Sequence, residues 1–114
     1  MIDFKTIDNF KHGLILSILK KSYAKFIDCF PNDKERFYKQ WEQEDNDAFS
    51  NPHTIGKYLF FACLKDFPIG YCSWDERQNP VGIIGQNCIL PEYQRQGYGS
   101  KQIELIMNII TVRL

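Results

Sequence analysis

No charge of either sign predominates in this sequence. Lysine and arginine number 14, aspartate and glutamate number 14, and the formal net charge is zero. Proteins that hold nucleic acid or an anionic bilayer carry a basic excess, so neither partner is expected here. Long apolar runs are also missing. The longest, residues 58–64, falls far short of the roughly 20 residues that cross a bilayer. The opening residues include Asp3, Lys5 and Asp8 in place of an apolar signal core. A soluble, cytoplasmic protein is expected. Cys29, Cys63, Cys72 and Cys88 include no Cys-x-x-Cys pair, so neither a zinc site nor a redox pair is indicated. The only histidines, His12 and His53, lie far apart with no acid or cysteine at ligand spacing. No metal is expected, and no Ser/His/Asp arrangement is visible. Repeats, low-complexity tracts and linkers are absent.

What remains is a chain of 114 residues with 44% apolar and 25% charged residues, the composition of one globular domain spanning 1–114. Aromatics reach 15%, which calls for a dense core or an aromatic-lined pocket. Residues 2–7 alternate apolar and polar and predict a short strand. Asp8 or Asn9 is placed to cap a helix whose apolar face carries Phe10, Leu14, Ile18, Leu19, Phe26 and Ile27. Pro31 ends it. Asn32 or Asp33 can cap a second helix, with Phe37, Trp41, Ala48 and Phe49 at helical spacing and a charged opposite face. Residues 58–65 and 69–75 predict a hairpin turning at 66–68, and a further turn at 76–80 leads into a third strand at 81–90. That strand is nearly all apolar, as expected of a central strand buried on both faces. A loop at 91–99 precedes a helix at 100–112. The layout is mixed α/β, with a mostly antiparallel sheet flanked by helices.

Chemistry is concentrated in one stretch, residues 87–100. A buried strand runs into a loop holding Gly97 and Gly99, and a helix starts directly after it. Helix N-termini offer unpaired N–H groups and a partial positive charge, and glycines let a backbone approach a ligand closely. Together these make a seat for an anionic phosphate group, with Arg95 beside it. A dinucleotide fingerprint would have a third glycine where Gln102 stands, and a P-loop would read Gly-Lys-Ser/Thr where this loop reads Gly99-Ser100-Lys101. Neither fits. Gln94-Arg95-Gln96-Gly97-Tyr98-Gly99 does match Gln/Arg-x-x-Gly-x-Gly/Ala, and Pro91-Glu92-Tyr93 precedes it. With the order of strand, two helices, β-meander and helix, the sequence resembles the GNAT superfamily of acetyl-CoA-dependent N-acetyltransferases over nearly its whole length.

The resemblance implies a GNAT-like fold and transfer of an acetyl group from acetyl-CoA, the cosubstrate, to a primary amine. It also implies that backbone N–H groups of Arg95, Gln96, Gly97, Tyr98, Gly99 and Ser100 wrap the pyrophosphate. By the same resemblance, the end of the fourth strand, at Asn87, Cys88 and Ile89, is expected to pair with the pantetheine arm, with its N–H groups polarising the thioester carbonyl.

The family continues after this helix with strand, helix and strand, and takes from them the tyrosine that protonates the leaving thiolate. Here few residues follow the helix, so the fold is expected to be C-terminally truncated. The motif assigns no proton donor, and the edge of strand 81–90 is expected to be uncovered and suited to homodimer pairing. Some family members carry a glutamate on the fourth strand, but residues 81–90 contain no acid. The nearest are Asp75 and Glu76, and Asp75 beside Trp74 is the expected general base. Tyr38, Trp41 and Trp74 are candidates to line the acceptor pocket. The alternative reading is a catalytically inactive domain of this fold that binds CoA, or a protein partner through its open sheet edge.

Overall fold

The computed structural model describes residues 2–78 and 81–113. Its elements are β1 (Ile2–Lys5), α1 (Leu14–Ser22), α2 (Ala24–Cys29), α3 (Lys34–Ser50), β2 (Leu59–Leu64), β3 (Phe67–Gln78), β4 (Val81–Ile89) and α4 (Tyr98–Arg113). The strands form one antiparallel sheet in the order β1-β2-β3-β4. Lys65 and Asp66, with φ of 48° and 69°, join β2 to β3. Two left-handed residues give a turn whose twist matches that of the flanking strands.

Alternation along the strands divides the core between two faces. Phe61, Cys63, Tyr71 and Cys88 meet Ile15, Ile18 and Leu19 of α1, Ile27 of α2 and Trp41 and Ala48 of α3. Cys72 and Trp74, with Phe60 and Ile84, meet Ile106, Ile109 and Ile110 of α4 on the other face. Ile84 and Cys88 are four residues apart in one strand, yet they face opposite sides. The cause is a bulge. Cys72 pairs with Asn87 and Trp74 with Ile84, so Ser73 alone stands opposite Gly85 and Gln86. Ser73 Oγ accepts the Gln86 N–H at 2.9 Å, and a β-carbon at Gly85 would come within 2.7 Å of that oxygen. The extra residue inverts the alternation and turns Gln86 toward the α1–α3 side.

Four sequence expectations are corrected. The helix expected to run to about Ile27 breaks at Tyr23, whose φ of −105° and ψ of 17° separate α1 from α2. Asp8 and Asn9 do not cap it but lie in a 3-10 turn, Ile7–Asn9. The cap comes from α3: Asp45, 1% exposed, accepts the N–H groups of Gly13 at 2.9 Å and Leu16 at 3.0 Å. The hairpin turns at Lys65–Asp66, and Phe67 and Pro68 already belong to β3. β4 is an edge strand among the described residues, which agrees with the expected open edge of 81–90 but not with a central strand buried along its length. Its apolar residues are used near its end, where Cys88 and Ile89 are buried, whereas Ile83 is exposed. Residues 79 and 80 of the expected 76–80 turn lie outside the described residues.

The cysteines behave as small apolar groups. Cys63, Cys72 and Cys88 are buried, and Cys29 is exposed. Burial raises the Cys63 thiol and pushes those of Cys72 and Cys88 up to about 12. Thiolate is the reactive form. Titration with a thiol-specific disulfide reagent at pH 8 should therefore modify one cysteine rapidly in the native protein and all four after denaturation. Rapid native modification of two or more would contradict this packing.

Candidate functional site

The end of β4, the loop after it and the start of α4 surround a cavity of about 250 Å3. Gln94 Nε2 donates to the Ile89 carbonyl at 2.9 Å and ties the loop back to the strand. Ile89's carbonyl therefore points away from β3. In an edge strand every second residue turns its backbone groups outward, so those of Asn87 point the same way. Arg95 and Gly97 have φ of 65° and 86°, and these two left-handed residues reverse the chain into α4. The first intrahelical bond near its start is Lys101 N–H to Gly97 O, which leaves the N–H groups of Tyr98, Gly99 and Ser100 without acceptors in the helix. A β-carbon at Gly99 would meet only Asn87 Nδ2 at 3.7 Å and Ile89 Cγ1 at 3.9 Å. The position is roomy, and a side chain there would grow over the strand end.

Asn87, Cys88, Ile89, Arg95, Tyr98 and Gly99 line this cavity together, with Ser22, Tyr23, Tyr93 and Gln94. Gln96, Gly97 and Ser100 belong to the same loop and helix start. Ser22 and Tyr23 carry no motif. They arrive because the α1–α2 break swings Tyr23 over the strand end, which nothing local in the sequence signals.

A hydrogen-bonded chain leads from this cavity to a second one. Tyr23 Oη donates to Gln86 Oε1 at 3.3 Å. Gln86 Nε2 donates to Glu44 Oε1 at 3.3 Å, and Tyr71 Oη donates to Glu44 Oε2 at 2.7 Å. Burial, followed by the Glu44 charge, raises the Tyr71 phenol well above its ordinary range, so it remains a donor. Burial likewise raises the Tyr23 phenol. The second cavity, about 480 Å3, is lined by Glu44, Asp47 and Tyr71 together with Ser73, Trp74, Asp75 and Arg77. Glu44 thus faces an open chamber while its oxygens are held by groups that reach back to the strand end.

Asp75 lies in that chamber but is engaged by Arg77. The guanidinium meets its oxygens at 2.6 to 3.0 Å, and the Arg77 N–H adds 2.8 Å. These donors hold its carboxyl down at about 2, which makes it a poor proton acceptor. Tyr38 and Trp41 are packed together, with ring centroids 5.8 Å apart, but Trp74 lies apart from them, against Phe60 and Tyr58. Tyr38 lies under Lys20 and Lys34. Trp41 stacks on Tyr23 at 5.6 Å and borders a third hollow, of about 300 Å3, with Phe26, Phe37 and Gln86. Trp74 stacks on Phe60 at 5.5 Å and donates to Glu76 at 2.8 Å. Among the described residues no helix is long and apolar enough to cross a membrane, and no three metal-ligating side chains cluster.

Comparison with known proteins agrees with this architecture. The fold is similar to that of PH1933 from Pyrococcus horikoshii OT3, with a TM-score of 0.67 and 14% identity over 97% of this chain and 72% of that one. It is also similar to the PaiA N-acetyltransferase from Thermoplasma acidophilum, solved in complex with coenzyme A, with a TM-score of 0.56 and 14% identity over 99% and 74% of the two chains. No curated protein sequence matches the chain. The model of the Acetyltransferase (GNAT) family matches residues 20–110. A strand end, glycine loop and helix start on a four-stranded antiparallel sheet, together with a family match over most of the sequence, place this chain in the GNAT acetyltransferase family.

Proposed function

We propose that the chain is an N-acetyltransferase that moves the acetyl group of acetyl-CoA to a primary amine. The observation that carries this reading is the 250 Å3 cavity where the outward edge of β4 meets the glycine loop and the N-terminus of α4. The pyrophosphate would be held by N–H groups at residues 95–100, where backbone donors and the helix dipole converge. The pantetheine arm would pair with the outward groups of Asn87 and Ile89, and the thioester would lie toward Gln86.

Glu44, in place of the Asp75 expected from the sequence, is the general base of this reading. Its carboxylate faces the second cavity and stands one amide away from the strand end. The neutral amine attacks the thioester carbon, and N–H groups of β4 stabilise the oxyanion. The C–S bond then breaks, the amine's proton passes to Glu44, and the CoA sulfur takes a proton. Tyr23 lines the cosubstrate cavity and burial keeps it protonated, so it is the donor of this reading. The products are an acetamide and free CoA.

Thermal-shift titration with CoA and acetyl-CoA tests the cosubstrate seat. At a hundredfold excess over Kd, binding to the native state adds about 2.7 kcal/mol, on the order of 10 °C in a chain of this size. Gly99→Val should abolish the rise while leaving the ligand-free melting temperature nearly unchanged, because its surroundings are open. A rise in Gly99→Val equal to that of the wild type would refute the seat. Binding without turnover over a panel of amines would favour the inactive CoA-binding reading.

A further inference from the structure

Gln102 stands in α4 with its side chain fully buried against the sheet. Its Nε2 faces three oxygens: Asn87 Oδ1 at 2.8 Å, Tyr71 O at 3.3 Å and Cys88 O at 3.4 Å. Two of these are backbone carbonyls, which only accept, so the nitrogen end of Gln102 must face the sheet. Its Oε1 has no hydrogen-bond partner among the described residues. It turns toward Gly70, where a β-carbon would come within 2.5 Å of it. A buried oxygen left unpaired is costly, and a leucine would fill similar space without that cost. Packing alone does not account for this residue.

The orientation of Gln102 dictates that of its neighbour. Because Gln102 donates, Asn87 presents its oxygen, and Asn87 Nδ2 must turn the other way. Among the described residues the Asn87 side chain makes one hydrogen bond, as the acceptor from Gln102. Its Nδ2 lies beside Gly99 at the start of α4, in the wall of the cavity that both residues line. A half-buried amide donor, fixed in direction and given no protein acceptor, faces the proposed cosubstrate seat.

We infer that the Asn87 side chain binds the cosubstrate itself, donating from Nδ2 to a carbonyl oxygen of the pantetheine arm, and that Gln102 is the positioning residue that holds it in the donating orientation. This rests on the acetyl-CoA reading above. The arm is chosen over the pyrophosphate by position. The free N–H groups of Tyr98, Gly99 and Ser100 serve the anionic end, while Asn87 is set back along β4.

Calorimetric titration of the full chain with CoA tests the inference. Asn87→Ala and Gln102→Leu should each weaken CoA binding about three- to tenfold, the worth of one neutral hydrogen bond. The double variant should bind no more weakly than Asn87→Ala alone, since Gln102 acts through Asn87. Affinity for millimolar ADP, which has the pyrophosphate and no arm, should not change in Asn87→Ala. Asn87→Asp keeps the oxygen facing Gln102 but puts a negative oxygen where the donor was, so it should lose more than Asn87→Ala. Because Asn87 borders the cavity, its two variants decide the matter even if Gln102→Leu fails to fold. Wild-type affinity in Asn87→Ala, additive losses in the double variant, or an equal loss toward ADP would each overturn the assignment. Failure of the wild type to bind CoA would instead overturn the cosubstrate reading, and this inference with it.

Discussion

Glu44→Gln is expected to lower kcat by about two to three orders of magnitude, in the range measured for loss of a positioned general base. CoA affinity should be unchanged. Glutamine retains an oxygen that can accept from Tyr71 Oη, the 2.7 Å partner of Glu44, so the fold around α3 is preserved. What is lost is the capacity to take a proton from the attacking amine. Asp75→Asn is the matching control. Asp75 is bound to Arg77 and held at about 2, so its neutralisation should leave kcat within a few-fold of the wild type. Steady-state kinetics on both variants, with any amine that the wild type acetylates, separates the two carboxylates. Near-normal turnover in Glu44→Gln with a collapse in Asp75→Asn would restore the assignment expected from the sequence.

The largest stability effect should come from Asp45→Ala. The Asp45 carboxylate is buried and accepts two N–H groups at the start of α1. Hydrogen bonds to a charged acceptor are each worth about 1.5–3 kcal/mol, and orphaned buried donors add a desolvation cost. A loss of about 3–4 kcal/mol is expected, a large share of the 5–15 kcal/mol typical of a folded domain. Gly13, with φ of 103°, has no side chain with which to replace the cap. His12 lies 3.3 Å from Asp45 Oδ1 and also touches Asn46, so the same carboxylate anchors the residue before the helix. Urea unfolding should show a lower midpoint with an unchanged m-value. A change below about 1 kcal/mol would mean that water or His12 takes over the cap. Asp45→Asn, which keeps one acceptor oxygen, should fall between the wild type and Asp45→Ala.

Much of the fold was legible in the residue order. The β-prone runs at 58–65 and 69–75 and the helical spacing of Phe37, Trp41 and Ala48 are local signals, and each reappears as β2, β3 and α3 within a few residues. The glycine loop was legible for a similar reason. Gly97 occupies a backbone conformation that disfavours other residues, so the need is written in the residue type. The expectation of a β4 buried on both faces throughout failed because its apolar composition reflects burial near the strand's end, at Cys88 and Ile89, while Ile83 is exposed. The expected cap failed because the acceptor for α1 comes from α3, 32 residues after Gly13.

By itself the sequence determined the class of fold and the glycine loop between the last strand and the last helix. These depend on periodicity, glycine conformation and helix termini, which act over a few residues. Only the tertiary structure decided that Arg77 engages Asp75 and that Tyr23, Gln86 and Glu44 join into one chain. It also set the direction in which Asn87 points. Those relations bring together residues tens of positions apart. They turn on one break between α1 and α2, one bulge in β4 and one buried glutamine, and these appear only when helices and sheet are packed together.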